Sequence, residues 1–254
     1  MGFIDYEKAF DSIEHFAIFN ALRRIGANEI YTKIIENIYK NASARVHLDN
    51  HVSEPFPIER GVRQGDPISP KLFTAAIEEV FKEADLKEGI KIGEDKVKDL
   101  RFADDVALCT KRTEDMESNL NKLDKASKEV GLKIHKGKTK FMTNYESNCN
   151  IKIDNELIEE VEEYKYLGQV VDPSQNMETE INARIRAAWS SFGKNKEIFT
   201  DKEIPLCLKR KLYNQCVLPT LTYGCETWAI TKAIMKKSKD MSKSDGKEND
   251  RGTD

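Results

Sequence analysis

The stretch that most constrains this chain is Leu100-Arg101-Phe102-Ala103-Asp104-Asp105-Val106-Ala107-Leu108. Two adjacent carboxylates sit between two apolar runs. Leu100 and Phe102 alternate before the pair, and Val106, Ala107 and Leu108 follow it. That pattern predicts a tight hairpin of two strands with Asp-Asp at its bend. Two anions side by side repel, and beside a core they lose hydration unless a cation or donors compensate. Taken alone, the pair reads as an ordinary turn, because Asp is a common turn residue. The rest of the chain changes that reading.

Composition narrows the field. The chain has 254 residues, enough for one large domain or two small ones. Its formal net charge of −3 carries no global basic footprint, so any contact with nucleic acid must be local. Five cysteines, at 109, 149, 207, 216 and 225, form no CxxC pair and no zinc spacing. Such a scattered, odd set predicts a reduced, intracellular protein. No run approaches the ~18 apolar residues of a membrane span. The opening Met1-Gly2-Phe3-Ile4-Asp5-Tyr6 is no secretory signal, and Tyr6 stands where a myristoylation pattern wants Ser or Thr.

Taken in order, residues 3–4 form a short strand ending at Asp5. Ile13, Phe16, Phe19 and Leu22 follow helical spacing, with Gly26 as the stop. Asn28 caps a second helix with Ile30, Tyr31, Ile34, Ile35, Ile38 and Tyr39 on one face. Residues 45–58 alternate as a hairpin about Asp49-Asn50, with Pro55 and Pro57 on its second arm. Arg60-Gly61-Val62-Arg63-Gln64-Gly65-Asp66-Pro67-Ile68-Ser69-Pro70 is a shaped loop. Ser69 is expected as the N-cap of a helix that buries Leu72, Phe73, Ala76, Ile77, Val80 and Phe81, with Pro70 in its first turn. The alternative is a plain capped helix after a turn. If the loop holds a ligand, the helix N-terminus favours an anion there.

Beyond the Asp-Asp hairpin, Met116, Leu120, Leu123 and Val130 mark a long helix stopped at Gly131. The segment 131–142 carries Lys133, Lys136, Lys138 and Lys140 and no acid; a solvated strand edge would also favour lysine. Short strands are expected near 151–153 and 156–158, and a β-prone run from Glu163 to Val171. From there the pattern is helical. Ile181, Ile185, Ala188, Trp189 and Phe192 share a face, and a further helix runs from about Pro205 to Val217, stopping before Pro219. Between 178 and 214, Lys and Arg outnumber Asp and Glu eight to five. Residues 232–254 are polar and are expected to be a disordered tail.

Strand sets separated by helices predict an α+β layer with helices on one face. If the Asp5 strand lies beside the hairpin, Asp5, Asp104 and Asp105 converge on one rim. Converging carboxylates call for hard divalent ions. Two such ions, roughly 3.5–4 Å apart, would stabilise the attacking and leaving oxygens of an in-line phosphoryl displacement.

Five stretches then resemble, in order, the motifs of reverse transcriptases of the non-LTR, LINE-type retrotransposon group. Phe3-Ile4-Asp5-Tyr6-Glu7-Lys8-Ala9-Phe10-Asp11 resembles motif A, and Gly61-Val62-Arg63-Gln64-Gly65-Asp66-Pro67-Ile68-Ser69-Pro70 motif B. Phe102-Ala103-Asp104-Asp105 resembles motif C, Gly131 to Lys140 motif D, and Tyr166-Leu167-Gly168 motif E, the primer grip. Val217 to Trp228 is similar to the thumb region of these proteins. The resemblance implies an α+β polymerase palm, an antiparallel sheet with helices on one face, over 1–172. A small helical thumb over 173–230 and the tail over 231–254 would follow it.

The roles are likewise what the resemblance implies. Asp5, Asp104 and Asp105 would be the catalytic, metal-binding acids, Asp105 closer to support than to direct ligation. The cofactor would be two Mg²⁺ ions, with Mn²⁺ as a substitute. Ile4 and Tyr6 would offer backbone groups to metal and triphosphate. Phe10 would be the steric gate against a 2′-OH, with plain core packing as the alternative. Gln64 and Gly65 would line the incoming nucleotide and template. Lys138 would protonate the leaving pyrophosphate, with Lys136 and Lys140 close enough in sequence to compete for that role. Tyr166, Leu167 and Gly168 would hold the primer end. The partners would be an RNA template, a DNA primer and dNTPs, with no membrane, and the setting intracellular, with the nucleus expected for priming on chromosomal DNA. Family members carry a fingers subdomain ahead of motif A. The chain begins at motif A, so the fingers are expected to be missing, as in a truncated copy of a retroelement coding region, and activity to be weak or absent. The alternative is a catalytically silent remnant that still binds nucleic acid.

Overall fold

The computed structural model describes residues 1–49, 51–145, 149–173 and 177–228. Asn50 and the expected tail lie outside the described residues. The fold is mixed α+β. The chain divides into two compact units, Met1–Tyr164 and a second that begins at Lys165. Among the described residues no helix is long and apolar enough to cross a membrane.

The first unit opens with β1 (Gly2–Ile4), α1 (Ala9–Ser12), α2 (His15–Arg24) and α3 (Glu29–Lys40). The expected hairpin follows as β2 (Ser43–Ala44), β3 (His47–Leu48), β4 (His51–Val52) and β5 (Phe56–Pro57), β3 pairing with β4 and β2 with β5. Then come α4 (Ser69–Ala84), the hairpin β6 (Ile90–Ile92) and β7 (Asp95–Val97), β8 (Asp99–Phe102), β9 (Asp105–Leu108) and α5 (Thr113–Glu129). β10 (Lys140–Phe141), β11 (Lys152–Ile153), β12 (Glu156–Leu157), β13 (Glu159–Glu160) and the first residue of β14 (Tyr164–Tyr166) complete it.

One five-stranded sheet, in the order β13-β10-β1-β9-β8, carries the unit. β1 is central. It pairs antiparallel with β9 (Gly2↔Leu108, Phe3↔Ala107, Ile4↔Val106) and with β10 (Gly2↔Phe141, Phe3↔Lys140). The sheet is not purely antiparallel as expected, because β10 and β13 run parallel. The connection between them, with its own β11–β12 hairpin, is long enough to bring the chain back in the same sense.

Strand alternation sorts the side chains. Ile4, Val106, Leu108 and Phe141 join one apolar core with α2, α4 and α5. Gly2 belongs to that face, where a Cβ would lie 2.7 Å from the sulfur of Met116 on α5. Phe3 points the other way and stacks on Tyr164, ring centroids 4.1 Å apart and 11° from parallel.

The helices mostly follow their patterns. α4 buries Leu72, Phe73, Ala76, Ile77, Val80 and Phe81. The Asn28 side chain caps α3, accepting from the Ile30 amide at 2.9 Å. Gly131 ends α5 with φ +81, and a Cβ there would lie 2.8 Å from the Ser12 carbonyl oxygen.

Among the helices, two expectations need correction, and two apolar stripes turn out to be partly uncovered. Ser69 is not the N-cap of α4 but a buried residue of its first turn. Ile68 holds the N-cap position and no side chain caps the helix there. Asp66 instead turns the chain into it, its carboxylate accepting from the Ile68 amide at 3.1 Å and its carbonyl from the Ser69 amide at 3.1 Å. Phe16 is exposed on α2, and Ile30, Tyr31, Ile34 and Ile38 are exposed on α3, which buries Thr32 and Tyr39. Periodicity shows that a stripe is apolar, not that another element covers it. The other correction lies in the second unit.

There, β14 and β15 (Gln169–Val171) form a hairpin whose turn residues Leu167 and Gly168 have φ +50 and +82. Two left-handed residues in succession match the right-handed twist of the strands they join. α6 (Met177–Lys194), α7 (Lys196–Thr200), α8 (Leu206–Leu212), a π-helical turn over Tyr213–Val217 and α9 (Leu218–Thr222) follow. Ala188, Phe199 and Val217 form their core, with Phe192, Leu212, Tyr213 and Leu221 packed against it. The helix expected to stop before Pro219 instead runs on to Thr222. Pro219 has no N–H and crowds the carbonyl four residues back. The π turn widens the ladder just before it, and Pro219 then sits at the start of α9, where no intrahelical N–H is needed.

Candidate active site

The β1–β9 register sets the site. One step beyond Ile4↔Val106 brings Asp5 opposite Asp105. By alternation both side chains share the face of Phe3 and Tyr164, away from the helices. Asp105 is the first residue of β9 and pairs with Phe102. The bend is therefore Ala103-Asp104, one residue earlier than the sequence pattern implies. Ala103 takes φ +54, a conformation usually left to Gly, Asn or Asp.

Electrostatics ties these groups together. Burial raises the carboxyl pKa of Asp105, and the neighbouring charges of Asp104 and Asp5 raise it further. The Tyr164 hydroxyl is raised by burial and then by Asp5 and Asp105. Among the described residues no group of three or more His, Cys, Asp or Glu side chains is gathered to hold a metal ion. The donors that do face one another are carboxylates in mutual repulsion, the chemistry a hard divalent cation relieves.

The segment after α5 supplies a cation paired with Asp5. The His135 amide donates to the Asp5 carbonyl at 2.8 Å, and the Asp5 amide to Thr139 Oγ1 at 3.3 Å. The Lys138 and Thr139 amides donate to the His135 carbonyl at 3.0 and 2.9 Å, closing a tight turn. Lys138 Nζ then lies 3.9 Å from Asp5 Oδ2. Lys136 pairs with Glu156 at 2.8 Å and Lys140 with Glu159 at 2.5 Å, so both neighbouring lysines are engaged elsewhere. Ile4 is locked into the β1–β9 ladder, and Tyr6 bridges to Ile134. The buried Tyr6 hydroxyl lies 3.0 Å from Ser127 Oγ, and burial raises its pKa.

A cavity of about 600 Å³ collects the other predicted residues, a size suited to a small-molecule ligand. Phe10, Gln64, Gly65 and Asp104 all line it. Phe10 stacks on Phe73 of α4, centroids 4.5 Å apart, so its ring is fixed rather than free to swing. The glycine loop is tied to the residues after β1: the Gly61 amide donates to the Ile13 carbonyl and the Val62 amide to the Phe10 carbonyl, each at 2.7 Å. Gly61, at φ +85, permits this approach, since a Cβ would lie 2.7 Å from the Asp11 carbonyl oxygen. Gln64 Nε2 donates to Asp11 Oδ1 at 2.9 Å. Lys8 and Arg63 bring positive charge to the wall, and Asp11, Asp66 and Asp104 negative charge.

Sequence reasoning did not single out Asp11, Thr139 or Tyr164. Asp11 and Thr139 stand inside the motif A and motif D strings, and Tyr164 inside the β-prone run. Their partners are distant in sequence, so no local pattern announces the contact. Tyr166, Leu167 and Gly168 belong to the second unit, where they form the β14–β15 hairpin and its turn.

The family model for reverse transcriptase (RNA-dependent DNA polymerase) matches residues 1–171. The chain is 29% identical over 196 residues to the Pol polyprotein of retrotransposable element R2 from Nasonia vitripennis, covering 72% of this chain and 19% of that protein. It is 23% identical over 246 residues to the RNA-directed DNA polymerase of the mobile element jockey from Drosophila melanogaster, covering 90% of this chain and 26% of that one. A transposon-derived protein of Caenorhabditis elegans is 35% identical over 147 residues, covering 54% and 51%. The chain thus spans about half, or less, of the length of these relatives. With the motifs in order, Asp5 facing Asp105 and the family match over 1–171, the chain belongs to the reverse transcriptase family, as a domain of the non-LTR, LINE-type retrotransposon group.

Proposed function

We propose that this chain carries the palm and thumb of an RNA-directed DNA polymerase, extending a DNA primer on an RNA template with dNTPs. The palm is assigned to 1–172 and the thumb to 173–230. The observation that carries the reading is the meeting of Asp5 and Asp105 across β1 and β9, with Asp104 on the adjoining turn lining the same cavity as Phe10, Gln64 and Gly65.

Each residue then has a task. Asp5, Asp104 and Asp105 would hold two Mg²⁺ ions. When bound, the ions lower the pKa of the attacking 3′-OH and bear the charge of the triphosphate. Ile4 and Tyr6, on either side of Asp5, would offer backbone groups to the metal and the triphosphate. The Phe10 ring, braced by Phe73, underlies the sugar and leaves no room for a 2′-OH. Gln64 and Gly65 line the base pair being formed. Lys138 delivers a proton to the leaving pyrophosphate, acting as general acid. Tyr166, Leu167 and Gly168 hold the primer end. Priming on chromosomal DNA would place the work in the nucleus.

Turnover by the 254-residue chain alone is expected to be slow. Lys8 and Arg63 oppose three carboxylates around the cavity, so its lining offers a triphosphate no net attraction before a metal binds. Positioning and electrostatics carry most of phosphoryl transfer.

The test is primer extension on an RNA template with all four dNTPs and Mg²⁺, beside the Asp104→Ala/Asp105→Ala double variant. Thermal melting with and without Mg²⁺ gives a second readout, because an ion bound by the folded state alone raises the melting temperature. Extension and a Mg²⁺-dependent shift, both lost in the double variant, are expected. A folded protein showing neither would overturn the reading. Phe10→Val should admit ribonucleotides, read as rNTP against dNTP incorporation; unchanged discrimination removes Phe10 as the gate.

A second reading, a catalytically silent binder of nucleic acid, draws on the locally basic stretch 178–214, where eight Lys and Arg stand against five Asp and Glu. It predicts duplex binding with a steep salt dependence and no extension.

A further inference from the structure

The Leu167–Gly168 turn is held by side chains of its own unit. Arg184, on α6, donates from Nη2 to the Gly168 carbonyl. Its Nε donates to Glu180 Oε1 at 2.6 Å, and Glu180 Oε2 accepts from the Val170 amide at 3.0 Å. The Tyr223 hydroxyl donates to the Leu167 carbonyl at 3.2 Å. The Arg184 guanidinium also lies over the Tyr223 ring, 4.7 Å from its centroid. One network thus fixes both carbonyls of a two-residue turn and an amide of the strand that follows. Glu180 is only 3% exposed. A buried ion pair contributes little net stability compared with apolar packing of the same volume, so stability is a poor reason for its presence. Its geometric consequence is the pose of the turn. With the carbonyls held, Leu167, 39% exposed, is the face left for a partner.

We propose that Arg184 and Glu180 are positioning residues that set the pose in which the Leu167–Gly168 turn meets the recessed 3′ end of a primer strand. The inference rests on the reading of Tyr166, Leu167 and Gly168 as the primer grip. Arg184 is the sharper probe. A lysine keeps the charge but cannot bridge the Gly168 carbonyl and Glu180 with two nitrogens of one planar group.

The experiment measures binding of the full chain to two labelled RNA–DNA duplexes of equal length, one with a recessed DNA 3′ end and one blunt. Wild type, Arg184→Lys and Tyr223→Phe are compared, with a melting curve for each. The wild type is expected to prefer the recessed end. Arg184→Lys should lose about tenfold in affinity for the recessed duplex and nothing for the blunt one. Tyr223→Phe, which deletes only the contact to Leu167, should lose about threefold in the same selective way. If Arg184→Lys fails to melt cooperatively, Tyr223→Phe decides by the same criterion. No loss, an equal loss on both duplexes, or a wild type without recessed-end preference overturns the inference. Primer extension run alongside separates the two readings. Selective end binding without extension sinks the polymerase assignment and leaves the positioning role standing. Extension with an unaffected Arg184→Lys does the reverse.

Discussion

Two hairpin turns in this protein solve the same problem by different means. At Ala103-Asp104 the backbone enters a left-handed conformation at Ala103, and the flanking strands enforce it. β9 is paired on both sides, with β8 and β1, and Val106, Ala107 and Leu108 are buried. At Leu167-Gly168 the hairpin is an isolated two-stranded sheet, and side chains do the holding, through Glu180, Arg184 and Tyr223. A two-stranded hairpin is marginal without such help. The first turn should therefore tolerate side-chain changes at its tip without losing its shape. The second should not.

The largest effect expected is on chemistry. Asp104→Ala with Asp105→Ala should lower primer extension by about 10³-fold or more, while the melting temperature stays level or rises as repulsion at the first turn is relieved. A large drop in melting temperature would mean that the ladder does not hold the turn by itself, and would break the contrast. Next in size is Glu180→Ala. It leaves the guanidinium of Arg184 without its buried partner and should cost about 3 kcal/mol in denaturant unfolding. A cost near zero would show the second turn to be ladder-held after all.

Smaller and opposite effects sharpen the comparison. Gly168→Ala should destabilise by roughly 1–2 kcal/mol. Its φ is +82, and the new Cβ would lie 3.1 Å from the Tyr223 ring. Ala103→Gly should do the reverse and stabilise by about 0.5 kcal/mol, since the strain at φ +54 is removed while the flexibility of the unfolded chain increases. Chemical denaturation of both variants reads the pair, and the same sign for both would refute the account of either turn.

Much of the site was legible because the local chemistry is local in sequence. Asp5 at a strand end, Asp104-Asp105 between apolar runs and Gly61 to Gly65 ahead of a helix each announce a backbone shape within a few residues. So do Asn28 as a cap and Gly131 as a stop, both of which take those roles. Other assignments failed where two equally good local answers existed. Ser69 fits a cap or a first helical turn equally well by type, and it is buried in the first turn, after a turn in which the Asp66 carboxylate and carbonyl accept from the Ile68 and Ser69 amides. Pro219 should end a helix, and does not, because the preceding turn is π-helical.

By itself the sequence determined the kind of elements, the order of the motifs and the acids available to the site, since propensity, capping and turn chemistry act between near neighbours. Only the tertiary structure decided which of these meet. The β1–β9 register set Asp5 against Asp105, and the turn after Ile134 brought Lys138, not Lys136 or Lys140, to Asp5. α6 supplied Glu180 and Arg184 to a turn more than ten residues earlier. The apolar stripe of α3 was as plain in the sequence as that of α4, yet the α4 stripe is buried and Ile30, Tyr31, Ile34 and Ile38 are exposed. Periodicity fixes which face of a helix is apolar. Burial depends on what the fold packs against that face, and contacts between distant residues leave no local trace.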